Sequence, residues 1–246
     1  MRYKMLVMTQ VAIIFWLPYL AMAEEVVEVG YFSKSPSNAV LPEGWELLNL
    51  GGAERKTNYS LVEDDGVLVV RAQSNNAASA MFFPLKIDLK KTPIVQWRWK
   101  IEKVLSKGDA LRKDGDDYPT RLYIIFDYDS SRLSFFEKIS YETYKAIHGV
   151  YPPLAALNYL WANKLPVGTV VSNTYSDRVK MYAVDSGSAR AGEWVTHQRN
   201  MYEDYVNAFG EEPLAVTGIA IMTDTDNTGE QVTAYYGDIR LLSAEQ

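Results

Sequence analysis

Asp224-x-Asp226-Asn227-x-Gly229 places three oxygen-bearing side chains in one short loop. Hard cations such as calcium favour that chemistry, because they take carboxylate and amide oxygens as ligands. The twelfth position of the loop is Tyr235 where an EF-hand requires Glu, so EF-hand coordination is excluded. Asp238, on the return strand, could complete a metal site. The competing reading is an Asp/Asn-rich hairpin turn whose side chains bond their own backbone. A structural calcium is therefore the one cofactor to weigh, and none is required. A second acidic run, Asp114 to Asp117, precedes Arg121. Paired carboxylates perform acid–base work when their environments split their pKa values; beside an arginine they more often hold a loop. Arg199 and Asp204 have the spacing of a structural ion pair.

Much familiar chemistry is absent. The chain has no cysteine and two histidines, His148 and His197. This excludes disulfides, thiol nucleophiles and a three-histidine zinc site. His148 ends a predicted helix, where the macrodipole favours a cation, and His197 lies on a predicted strand, so both read as structural. The sequence contains no G-x-S-x-G, H-E-x-x-H, phosphate-binding loop or dinucleotide fingerprint. Aromatic usage is the most suggestive feature, with 17 Tyr and 6 Trp. Rings flanked by polar groups suit sugars, whose C–H faces stack while their hydroxyls seek hydrogen bonds. Trp161, Tyr123 and Tyr236 are the candidates for that role, and Trp97 and Trp99 read as core.

These residues sit on a succession of short strands. Val26–Phe32, Trp45–Leu50, Tyr59–Glu63, Val67–Ala72, Ala78–Phe83, Ile94–Glu102 and Thr120–Tyr128 are followed by Thr169–Asn173, Arg178–Val184, Glu193–Gln198, Ala215–Thr223 and Val232–Leu242. In Ile94–Glu102, Val95, Trp97, Trp99 and Ile101 alternate with Gln96, Arg98, Lys100 and Glu102, the mark of a strand with one buried face. Leu122, Ile124 and Phe126 alternate in the same way with Arg121, Tyr123, Ile125 and Asp127. Asp64-Asp65-Gly66 and Asp224–Gly229 read as hairpin turns. Helices are expected over Ser131–His148, with a stop at Gly149 before Pro152-Pro153, and over Met201–Phe209, ended by Gly210. The expected fold is mostly β: an antiparallel two-sheet β-sandwich, jelly-roll-like, with one or two short helices. Residues 24–246 form a single domain, with 131–149 as a helical insertion.

Ahead of that domain, Arg2 and Lys4 precede an apolar run to Leu20 and then Ala21-Met22-Ala23, the order of a secretory signal peptide over residues 1–23. No cysteine follows it, so a lipid anchor is excluded and no stable membrane insertion is expected after cleavage. The destination is the periplasm or the medium. Cleavage moves the formal charge from −6 to −8, because the signal holds two basic residues and no acidic one. An acidic surface argues against nucleic acid, whose affinity rests on many Lys and Arg contacts.

Several short stretches together resemble the domain of unknown function 3047 family of bacterial exported proteins: Leu41-Pro42-x-Gly44-Trp45, Trp97-Arg98-Trp99, Gly115-Asp116-Asp117-Tyr118 with Arg121-Leu122-Tyr123, Tyr159-x-Trp161, Arg199-Asn200 with Asp204-Tyr205 and Phe209-Gly210, Thr223–Thr228, and Tyr236-Gly237-Asp238-Ile239. The resemblance implies export and carries over no catalytic residue. The expected function is then a non-catalytic glycan- or polysaccharide-binding β-sandwich. Its groove would be the polar face bearing Arg98, Lys100, Arg121, Tyr123 and Asp127, if those two strands lie side by side. A polysaccharide lyase or glycoside hydrolase on the same scaffold, with Tyr123 as base and Arg121 facing a uronate, is one alternative. An envelope accessory that binds another protein is the other.

Overall fold

Ile94–Ile101 alternates buried and half-buried residues along its whole length, with Val95, Trp97, Trp99 and Ile101 on the sealed side. This is the period-two pattern that a half-buried strand imposes on its sequence. The computed structural model describes residues 26–36, 39–48, 53–148 and 155–243. The signal segment 1–23, the helix stop at Gly149 with Pro152-Pro153, and the last residues of the strand expected over Trp45–Leu50 lie outside them.

In chain order the strands are β1 (Val26–Gly30), β2 (Glu46–Leu48), β3 (Asn58–Asp64), β4 (Val67–Asn75), β5 (Ala78–Ile87), β6 (Ile94–Ile101) and β7 (Arg121–Phe126). They continue with β8 (Ala156–Ala162), β9 (Val170–Ser172), β10 (Val179–Ser186), β11 (Val195–Asn200), β12 (Val216–Asp224) and β13 (Gln231–Leu242). The helices are α1 (Phe135–His148) and α2 (Met201–Phe209). One sheet runs β11-β6-β13-β4-β3, with β1 also paired to β13, and the other runs β2-β5-β12-β7-β8-β10-β9. The mostly β, two-sheet sandwich expected from the sequence is therefore present, with two short helices.

Three details depart from expectation. β8 was not foreseen as a strand, because all seven of its residues are buried and the alternation that betrays a strand is missing. Leu157, Tyr159 and Trp161 face the main core, whereas Leu160 and Ala162 pack the other way against Ala110, Tyr118, Met181 and Ala183. β8 and β10 also run parallel, the exception among otherwise antiparallel pairs of the described residues. Finally, Asp224–Gly229 is no hairpin: β12 and β13 belong to different sheets, so this loop carries the chain from one layer to the other.

Aromatic side chains join the layers. Trp97 of the first sheet stacks on Tyr159 of the second at 5.2 Å, and Trp99 donates its indole N–H to Asp185 Oδ2 at 2.7 Å. The Tyr236 hydroxyl donates to the Met222 carbonyl at 2.5 Å and accepts from the Arg121 amide at 3.3 Å. Trp99 and Tyr236 thus fill the core while their polar edges find partners in the opposite layer, whereas the Trp97 indole N–H is buried without an acceptor.

The helices obey local rules. The Asn200 side chain accepts from the amides of Tyr202 and Glu203 to start α2, and Gly210, at φ 71°, closes it. α1 opens on a capping box in which Ser134 N–H donates to Glu137 at 2.8 Å and Glu137 N–H donates to Ser134 Oγ at 3.3 Å. The helix therefore begins later than the expected Ser131, after a single 3₁₀ turn over Ser130–Arg132. It lies in the connection between β7 and β8, which are neighbours in the second sheet.

Two outcomes test this packing. Trp97→Ala is expected to lower unfolding stability by about 3–5 kcal/mol in urea denaturation, and a loss below about 1 kcal/mol would place the ring outside the core. Ser134, joined by Arg178, holds the Glu137 carboxyl down at about 2. A lowered folded-state pKa contributes stability that is present above the unfolded value and lost as pH falls through the folded one. Glu137→Gln should therefore be less stable than the parent near pH ~5, with the gap closing toward pH ~2.

Candidate functional site

The outer face of the second sheet is divided. Over β8 and β10 it is covered by Ala110, Tyr118 and Leu165, beside Val171 of the neighbouring strand β9. Over β5, β12 and β7 it borders a groove of about 570 Å³, whose floor residues Ala78, Ala80 and Ala220 are themselves only 3–4% exposed. Ala78 and Ala80 of β5, Ala220 and Met222 of β12, and Tyr123 and Ile125 of β7 line its floor. Strand alternation puts these small residues on the outward side, opposite Met81, Ile219, Ile221 and Ile124 in the core. Alanines at those positions lower the floor. The rim is polar: Asp116, Arg121, Asn173, Asp224, Asp226 and Asn227, with Tyr175 beside them.

A buried ion pair sets one end of the groove. Arg121 and Asp224 have side chains 3% and 2% exposed. Arg121 Nε donates to Asp224 Oδ1 at 2.8 Å, and Nη2 donates to Asp224 Oδ2 and to the Asp116 carbonyl, the latter at 2.5 Å. Nη1 donates to the Tyr123 hydroxyl at 3.2 Å and lies 3.6 Å from Asp116 Oδ1. The guanidinium stands 4.3 Å over the Tyr118 ring, and the Tyr118 amide donates to Asp224 Oδ1 at 3.2 Å. Burial pushes the Asp224 carboxyl up to about 7, against the pull of Arg121. Burial alone would lower Arg121, but Asp224, Tyr123 and Asp116 outweigh it and hold the guanidinium charged. The Tyr123 phenol is pushed up to about 12, again chiefly by burial.

Around this pair the loops are tied together. Asp116, 5% exposed, accepts from Asn173 Nδ2 at 2.8 Å through Oδ2, while its Oδ1 accepts no hydrogen bond. Asp117 accepts the amides of Asn227 and Thr228 at 3.3 and 2.6 Å, and burial raises its pKa. Asn227 Nδ2 donates to the Lys113 carbonyl and to the Tyr175 hydroxyl, both at 3.0 Å. Tyr175 is 59% exposed, so its ring is presented to solvent on a fixed hydroxyl.

For a cation, the residues brought together are Asp117, Asp224 and Asp226, each able to place a carboxylate oxygen within 4.8 Å of the other two. Asp224, Asp226 and Asn227 do share this loop. Asp238 does not reach it, since its carboxylate accepts from the Ser33 amide at 2.9 Å and hydroxyl at 2.6 Å beside β1. Asp117 takes its place in the cluster.

The expected ligand face is not assembled as the sequence suggested, because β6 and β7 lie in different sheets. Arg98 and Lys100 project from the first sheet, with Arg98 4.5 Å over the Trp194 ring and Lys100 4.7 Å over the Tyr235 ring. Arg121 and Tyr123 line the groove on the second sheet. Asp127, past the end of β7, accepts from the Tyr128 amide at 2.8 Å. Trp161 and Tyr236 are each 1% exposed and belong to the core. Asp116, Asn173 and Tyr175 were not foreseen as groove residues. Asp116 and Tyr123 fall in one quoted motif, and the alternating alanines of Ala78-Ser79-Ala80 are a further signal, but nothing local marks Tyr175. As the sequence allowed, Arg199 and Asp204 pair, with Nε to Oδ2 at 2.9 Å, and His197 joins Asp185 at 2.6 Å.

The class of protein is thus a β-sandwich with an open groove on one outer sheet face. The chain belongs to the family described as protein of unknown function (DUF3047), which matches residues 43–240. No curated protein matches the sequence. Among solved structures, a family 12 xyloglucanase from Bacillus licheniformis is similar at 9% identity, over 90% of this chain and 100% of that one, with a TM-score of 0.43. The K3 cleaved adhesin domain of Lys-gingipain from Porphyromonas gingivalis is similar at 13% identity, over 90% and 100%, with a TM-score of 0.38. A carbohydrate-binding module specific for non-crystalline cellulose is similar at 10% identity, over 89% and 91%, with a TM-score of 0.37. At such distance nothing about ligand or activity passes from them to this chain.

Removing one partner of a buried ion pair strands the other charge. Arg121→Met is expected to cost about 3–5 kcal/mol in urea denaturation, and the double variant Arg121→Met/Asp224→Leu to recover most of it. Equal losses in both variants would contradict the pairing.

Proposed function

We propose that the protein is a non-catalytic, exported glycan-binding β-sandwich whose ligand lies in the groove over β5, β12 and β7. The observation that carries this reading is the pairing of an apolar floor, Ala80, Ala220 and Met222, with a rim of planar polar side chains and an exposed aromatic ring at Tyr175. Sugars present the matching surfaces, C–H faces for the floor and ring, and hydroxyls for amides and carboxylates. Export is supported by the signal-like order of residues 1–23, and it would put the groove where polysaccharides are met.

The lyase alternative is weaker on two counts. Tyr123, with its phenol pushed up to about 12, keeps its proton at neutral pH and is a poor base. Arg121 is already committed to Asp224 and Asp116 and cannot clamp a uronate. A protein partner would be revealed by co-purification from intact cells, and the glycan reading expects none.

Calcium is not needed for the fold in this reading. A divalent ion at Asp117, Asp224 and Asp226 would have to compete with Arg121 for Asp224, and Arg121 already supplies positive charge there. Thermal unfolding should be unmoved by calcium or chelator. A rise with calcium that chelator reverses would restore the cation site.

Glycan-array screening followed by calorimetry tests the main proposal. At least one oligosaccharide should bind, and Tyr175→Ala should weaken it by about threefold to tenfold, the scale of one ring contact. No binder on the array, with or without calcium, would remove the proposal.

A further inference from the structure

Beside the groove lies another cavity, of about 430 Å³, and Asn227 lines both. Each is of a size that holds one small ligand. Thr228 and the cations Lys107, Arg112 and Lys164 also line the neighbouring cavity. Arg112 donates to Asp114 through Nε at 2.9 Å and Nη2 at 2.5 Å, and Lys164 lies 3.3 Å from Asp109. Arg112, Asp114 and Lys164 are each more than half exposed. Ion pairs in that setting are weakly held, so their donors and acceptors can be shared with a ligand.

The junction between the two cavities is fixed. Asn227 Nδ2 donates to the Lys113 carbonyl and to the Tyr175 hydroxyl. A carbonyl can only accept, which identifies the nitrogen and leaves Oδ1 as the acceptor that Asn227 offers a ligand. Asp117 holds the amides of Asn227 and Thr228, and Lys107 Nζ donates to the Thr228 carbonyl at 2.9 Å. An ammonium has three donors, and this bond uses one. The ring of Tyr175, 59% exposed, stands at the same point through its hydroxyl.

We infer that groove and cavity form one path for a linear polysaccharide, which crosses Asn227 and is bound along its length, not as a single sugar or a chain end. This rests on the glycan-binding reading and deepens it. A sugar on the Tyr175 ring brings the next unit to Asn227 and Lys107. Its hydroxyls both donate and accept, which suits a lining of ammonium, guanidinium and carboxylate groups. The junction is held by its own hydrogen bonds, so binding has little of the protein to order.

The test is calorimetry on the exported chain with cellotriose and cellohexaose, and with trigalacturonate and hexagalacturonate. In a series that binds, the hexamer is expected to bind about tenfold tighter than the trimer, the worth of one or two added hydrogen bonds. A longer chain also gains from its greater number of registers, and that part does not depend on the cavity. Arg112→Ala with Lys164→Ala, at exposed positions where folding is little affected, should therefore remove most of the gain and leave the register part. Equal affinity of trimer and hexamer overturns the path and leaves glycan binding in the groove standing. So does a gain that the double variant keeps in full. Failure of all four probes to bind counts against both readings.

Discussion

The ion pair between Arg121 and Asp224 is the constraint on which the groove depends. Both side chains are sealed from water, so each charge must be matched by the other and by further hydrogen bonds. That demand fixes the chain around them. Met222 lies opposite Arg121 across β7 and β12, and Asp224 extends the second strand by two residues to meet the guanidinium. The Asp116 carbonyl and the Tyr118 amide are then drawn onto the same pair, which anchors the loop ahead of β7. Beneath it, Tyr236 reaches from the first sheet to the Arg121 amide and the Met222 carbonyl. The groove, its rim and the layer-to-layer contact therefore share one electrostatic centre.

Much of the architecture was legible because burial leaves a period in the sequence. β6 and β7 show alternation on one face, and α2 shows its Asn200 start and Gly210 stop. β8 was illegible for the opposite reason, since both of its faces are covered and no polar side chain interrupts the run except Asn158. The site was legible only in part. Arg121, Tyr123, Asp224, Asp226 and Asn227 were singled out and do meet in the structure. What local sequence lacks is the sheet order. Nothing in Trp97-Arg98-Trp99 says that its neighbours are β11 and β13, so the sequence alone does not separate Arg98 and Lys100 from the face of Arg121 and Tyr123. Asp238 falls outside the cluster for the same reason, because the loop after Asp224 changes layers and does not fold back as a hairpin.

The two outer faces also differ in the state of their charged groups. On the first sheet, Arg98 and Lys100 rest on the Trp194 and Tyr235 rings, and Lys100 and the Trp194 indole N–H both meet Asp64. Those cations are already matched by aromatic faces and a carboxylate, while the buried Nε of Arg71 on the same face has no acceptor. On the second sheet Asp116 accepts from Asn173 and lies 3.6 Å from Arg121 Nη1, and the Tyr175 ring, 59% exposed, has the Lys113 ammonium 5.2 Å from its centroid.

A crystal structure of the chain with a bound oligosaccharide addresses the central claim most directly. The account predicts sugar rings in the groove over β5, β12 and β7, one of them against Tyr175. A sugar seated on Trp194 and Tyr235 of the first sheet, with the alanine-floored face bare, would contradict it.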